Sequence, residues 1–172
     1  MEEVMDDASD NVDYLDDFPL DAELPIFDLH LEHISLPEIF KLEGYQIVVT
    51  IRDVRFRFTA VGFKRYTSYV FFFEREVDGH WTRERVHTPD KLLVIELIRQ
   101  FAGFIYSVIE AEPSAAIIEF RTVFNDRSLR NFCSKATQYL ARRLNATYHI
   151  TPCRSEMEYV LILPSTRNDE VR

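Results

Sequence analysis

Two short triplets are the places where residue types and spacing in this chain could do chemistry. His80-Trp81-Thr82 and His149-Ile150-Thr151 each set a histidine and a threonine two residues apart. On a strand that spacing aims both side chains at one face, because successive side chains alternate across it. If both triplets met in one cleft, their imidazoles could serve as general base and general acid. Exposed strand histidines are the plainer reading of the same residues. His30 and His33 stand beside Asp28 and Glu32, but a third convincing ligand is missing, so no metal is expected. Cys133 falls on an apolar helical stripe, where a thiolate is raised in energy, and reads as a core residue and not a nucleophile.

The elements that must position these residues are legible around Ala115–Thr151. Ala115–Thr122 is a short apolar run rich in β-branched residues. Asn125 and Asp126 supply helix-cap chemistry. From Leu129 onward Phe132, Cys133, Ala136, Tyr139, Leu140 and Leu144 recur at helical spacing, which predicts a helix over 126–144. Asn145 ends it, and Thr147–Thr151 and Met157–Leu163 read as strands. Upstream, residues 25–43 read as a short strand followed by one or two helical turns opened at Ser35–Pro37. Residues 45–87 read as an antiparallel meander with a long first run, Tyr45–Thr59, and a turn at Gly62. Its central strand is Tyr69–Val77, and a hairpin at Asp78-Gly79 leads into a strand over Trp81–His87. Thr88 as cap and Pro89 as first residue then open a helix that is apolar almost all round and ends near Glu110.

Charge divides the chain differently. Residues 1–24 hold ten acids and no base, so the remaining 19 acids face 20 bases and the body carries about +1. The expected organisation is an acidic, disordered tail over 1–24, one α+β domain over 25–164, and a polar tail over 165–172. Tyr14, Leu15, Asp16, Asp17 and Phe18 combine charge with large apolar groups, which suits a segment that engages a basic, partly apolar protein. A solubilising tail is the alternative. Arg127, Arg130, Arg142 and Arg143 offer a second face, for a protein partner or for the chain's own tail. The near-neutral body and the missing recognition motif disfavour nucleic acid. The acidic N-terminus is unlike a secretory signal, no apolar run of membrane length stands out, and two cysteines make no disulfide framework. A cytoplasmic location and no membrane are therefore expected.

From Tyr45 to Leu163 the order of three strands, helix, strand, helix and two strands resembles the core of the GNAT superfamily of CoA-dependent N-acyltransferases. There a three-stranded meander precedes the cofactor helix, and a further strand splays away before the next helix. The superfamily commonly carries Asn-x-x-Ala-x-x-x-Tyr across the last strand-to-helix junction. This chain has Asn125-Asp126-Arg127-Ser128-Leu129-Arg130-Asn131-Phe132, with serine for alanine and phenylalanine for tyrosine. The resemblance implies a mostly antiparallel β-β-β-α-β-α-β-β sheet flanked by two main helices, with Thr88, Lys91 and Asn125 as the positions nearest a cofactor. The rhythm is also similar to that of small phage-encoded proteins of this type.

Departures from the pattern bear on activity. Active members bind the CoA pyrophosphate through a glycine-containing loop whose backbone N–H groups approach the phosphates closely. Here Arg83–Lys91 contains no glycine, Pro89 removes a donor, and Asp90 sets a negative charge where phosphate would sit. Phe132 has no proton to give a leaving thiolate. The resemblance thus implies a degenerate member, a pseudoenzyme without cofactor, with acetyl-CoA disfavoured. The paired His-x-Thr triplets also resemble the signature of the 2H phosphoesterases. Three functions follow in order: a non-catalytic protein-binding adaptor or inhibitor, an N-acyltransferase with an atypical CoA site, and a 2H-type phosphoesterase using His80, Thr82, His149 and Thr151.

Overall fold

The computed structural model describes residues 23–35, 41–63, 67–83, 90–123, 127–153 and 156–164. Among them the chain is α+β, one mixed sheet with two helices. Strands β1 (Glu32–Ser35), β2 (Lys41–Ile51), β3 (Val54–Phe63) and β4 (Ser68–Val77) pair antiparallel in sequence order, and the short β5 (His80–Thr82) folds back on β4. Helix α1 (Lys91–Ala111) crosses to β6 (Ile117–Val123), which lies parallel to β4. Helix α2 (Arg127–Leu144) leads to β7 (Thr147–Cys153), and β8 (Glu156–Ile162) inserts between β6 and β7. The sheet order is β1-β2-β3-β4-β6-β8-β7, with β5 paired to β4.

Strand alternation decides where the core sits. Tyr45 and Ile51 on β2, Phe56 and Phe58 on β3, Tyr69 and Phe71 on β4, Ile118 and Phe120 on β6, and Tyr159 and Leu161 on β8 are all buried in one cluster with both helices. The aromatic rings interlock: Phe58 meets Phe101 at 5.4 Å between centroids, and Phe73 meets Phe101 at 5.2 Å and Phe132 at 5.3 Å. The other face of β3 and β4 is charged at one end and carries Val61, Val70 and Phe72 farther along. Arg57 pairs with Glu74 at 2.8 Å, Arg55 pairs with Glu76, and both guanidiniums lie over Trp81 of β5.

Helix α1 is long and apolar enough to cross a membrane by length and composition, yet most of it is buried inside the fold. Part of its outer side is covered by an extended segment, residues 23–31. Arg99 donates to the Glu23 carbonyl at 3.1 Å, the Phe27 N–H donates to Ser107 Oγ at 3.0 Å, and Leu24, Phe27 and Leu29 pack against the core.

Several sequence expectations need correction. The short strand expected early in residues 25–43 is confined to Glu32–Ser35, and before it the Phe27 N–H bonds Ser107 of α1 instead of a strand. Ser35 and Lys41–Glu43 are strand, where helical turns were expected. The long run Tyr45–Thr59 is cut by a hairpin at Arg52-Asp53, whose φ values of 48° and 68° are the positive pair that a tight two-residue hairpin needs. Gly62 lies inside β3 opposite Tyr69 instead of at a turn. Strand β5 stops at Thr82, and α1 is capped by Asp90 instead of Thr88. The Asp78-Gly79 hairpin stands as read, with φ values of 51° and 80°.

Candidate functional site

The one interruption in this sheet lies between its parallel strands. β4 and β6 pair only through Ser68–Val70 and Ile117–Glu119. Beyond that point β6 runs on to Val123 against β8, and β4 continues against β3 as far as Arg75. Two parallel strands parting toward their carboxyl ends, with a helix crossing between them, make the crevice where open α/β sheets usually hold ligands. Here part of that crevice is occupied. Because β3 takes one edge of β4 along its length, β5 must use the edge that β6 leaves, and it pairs there through Arg75–Val77.

The start of α1 sits at the same end. Its N-cap, Asp90, accepts from the Leu92 and Leu93 N–H groups at 3.1 and 3.2 Å, and Arg52 donates to the same carboxylate at 2.7 Å. Those amides are the donors that a helix N-terminus would offer an anion. The hydrogen bond from Arg52 is the main reason the Asp90 carboxyl is held below its ordinary value of 3.8; partial burial opposes it and the two amides add to it. The positive end of α1 is thus already matched by a carboxylate of the chain.

The structure does not bring the two His-x-Thr triplets together. His80 and Thr82 pair with Val77 and Arg75 and so share the helix-side face, whereas His149 and Thr151 pair with Val160 and Glu158 and share the opposite face. Strands β6 and β8 lie between them, and both histidines are exposed. Lys91 is the first residue of α1, while Thr88 and Asn125 lie outside the described residues, as do Tyr14, Leu15, Asp16, Asp17 and Phe18. Arg127 opens α2, the carbonyl of Arg130 accepts from Tyr159 at 3.2 Å, and Arg142 and Arg143 are exposed in the last turn. Phe132 and Cys133 are both buried, as the apolar stripe of α2 requires.

One residue escaped the sequence reading. Arg75 follows Phe71 and Phe73 at strand spacing, so it stands on the core face of β4 between Phe56 of β3 and Thr82 of β5. An arginine in an apolar alternation was the available signal. No group of three or more potential metal ligands occurs among the described residues. Comparison with protein-family models, with curated proteins and with solved structures found no match.

Proposed function

We propose that this chain is a non-catalytic protein-binding adaptor or inhibitor on an acyltransferase-like body. The observation that carries the reading is the placement of β5. The crevice between parting parallel strands is where open α/β sheets usually hold ligands, and here a strand of the chain's own hairpin pairs in it. The strand order and the short parallel pairing support the acyltransferase-like body, and the capping of α1 by Asp90 supports the absence of a pyrophosphate site. The ten carboxylates of residues 1–24 support a basic protein as partner.

An N-acyltransferase with an atypical CoA site is the second reading, favoured by one observation. Phe71–Glu74 of β4 pair with neither β5 nor β6, which leaves a stretch of strand edge between them. Thermal unfolding with millimolar acetyl-CoA separates the two, because a ligand that binds only the folded state must stabilise it. No rise in Tm is the expected result. A saturable rise, enlarged in Asp90→Gly, would replace the first reading by the second.

A further inference from the structure

We propose that the outer edge of β7, with the basic helix α2 beside it, is a docking site for the chain's own acidic stretch, residues 1–22. β7 is the last strand of the sheet, and its seven residues pair in unbroken register with β8. Among the described residues no strand pairs with its other edge. An edge strand offers a row of backbone N–H and C=O groups to any extended chain, and proteins usually blunt such edges by shortness or charge. The opposite edge is blunted so, since β1 has four residues and begins at Glu32. β7 has no lysine, arginine, aspartate or glutamate, and Thr147, Tyr148, His149, Thr151 and Pro152 are exposed. Pro152 has no N–H to give, which confines new pairing to Thr147–Thr151.

Charge selects the occupant. Helix α2 packs over β6, β8 and β7, and its charged residues are Arg127, Arg130, Lys135, Arg142 and Arg143, with no acid among them. The Ala146 N–H donates to the Ala141 carbonyl at 2.9 Å and Asn145 takes a φ of 52°. The chain therefore turns directly from α2 into β7, with the exposed Arg142 and Arg143 at the entry. A strand added to β7 would lie beside this helix, and residues 1–22 supply nine acids and no base. That stretch joins the body nearby: Arg99 holds the Glu23 carbonyl at 3.1 Å, and Arg99 and Arg143 both act on the Tyr139 phenol. Fully extended, residues 1–22 reach about 70 Å and β7 is about 23 Å long, so the chain can turn back along it. Pairing with β7 of a second copy would instead set two such basic helices on one face of a joined sheet, where they repel. The docking does not rest on the adaptor reading; on that reading, a basic partner must displace the tail from β7.

The test is amide hydrogen exchange of the full chain, read residue by residue by NMR at low and at high salt. A docked state favoured by a factor of about ten slows exchange of the amides it covers about tenfold. The expected result is that slowing at every second amide of Thr147–Thr151 in low salt, and its loss in high salt, where the charges are screened. Replacing Asp13, Asp16 and Asp17 together with asparagine should remove the slowing, and so should Arg142→Gln with Arg143→Gln. The amides of β8, paired on both sides, serve as the control for intact folding. Outer-edge amides that exchange equally fast in the full chain and in the aspartate variant overturn the proposal. Slowing that grows with protein concentration also overturns it, because the tail of one copy would then be docking on another.

Discussion

Tyr139 shows how one buried residue on α2 carries both packing and charge. Its ring is fully buried, and burial pushes its phenol above the ordinary value of 10.0, against the opposing pull of Arg143 and Arg99. The folded chain therefore keeps its proton at pH values where the unfolded chain has lost it. Stability from this group is fully present below about pH 10, the unfolded value, and is lost as pH rises from there through the folded value. We predict that urea midpoints measured from pH 8 to 11 fall on the alkaline side, and that Tyr139→Phe flattens that fall. An unchanged alkaline limb in the variant would assign the loss to other groups. The burial of Tyr139, like that of Phe132, Cys133 and Leu140, was legible because helical spacing repeats along α2. Arg75 was not. It is only partly exposed on the core face of β4, and its place in the apolar alternation does not say what stands beside it.

At the scale of elements, the fold was readable where turns and periodicity speak locally. Asp78-Gly79 announced its hairpin, and the two main helices appeared within a few residues of their ends. Arg52-Asp53 announced nothing, since neither residue is the glycine or asparagine that positive φ favours. Its hairpin is supported from elsewhere, by the Ile51–Val54 register and by Arg52 reaching Asp90. The segment 23–31 failed in the same way. Its alternation of acids and leucines resembles a half-buried strand, yet its partner is a helix. Gly103 makes that contact possible: a Cβ there would overlap the Pro25 carbonyl and lie 2.6 Å from its Cγ. We predict that Gly103→Ala lifts this segment from α1. Limited proteolysis should cut within 23–31 sooner, and unfolding should show a loss of about 1–3 kcal/mol, the usual cost of overpacking. Unaltered cleavage would mean that the segment contributes little to holding the helix.

For the whole molecule, the acidic N-terminus is the feature that composition displays most openly, and the fold refines where it ends. Glu23 and Leu24 belong to the body, since Arg99 holds the Glu23 carbonyl and Leu24 packs on the core. Residues 1–22, which precede the described part of the chain, hold nine of its 29 acids and no base. Without them the remaining 20 acids balance the 20 bases. Such a concentration of like charge repels itself unless something positive faces it. On the proposed reading that counterpart would be a protein partner or the chain's own arginines, of which Arg142 and Arg143 are exposed at the end of α2. Attraction between exposed charges is screened beyond about 8–10 Å at ordinary salt, so association through the tail should slow as salt rises. Tyr14, Leu15 and Phe18 should supply the part of the affinity that salt does not remove. We predict that deleting residues 1–22 leaves the body folded, with a urea midpoint close to that of the full chain. The same deletion should abolish capture of a basic test peptide built from lysine and leucine. Replacing Tyr14, Leu15 and Phe18 together with serine should weaken capture while keeping most of its salt dependence. Capture that survives the deletion would move the binding face onto the body, and capture of nucleic acid gained on deletion would show the tail to be an internal shield.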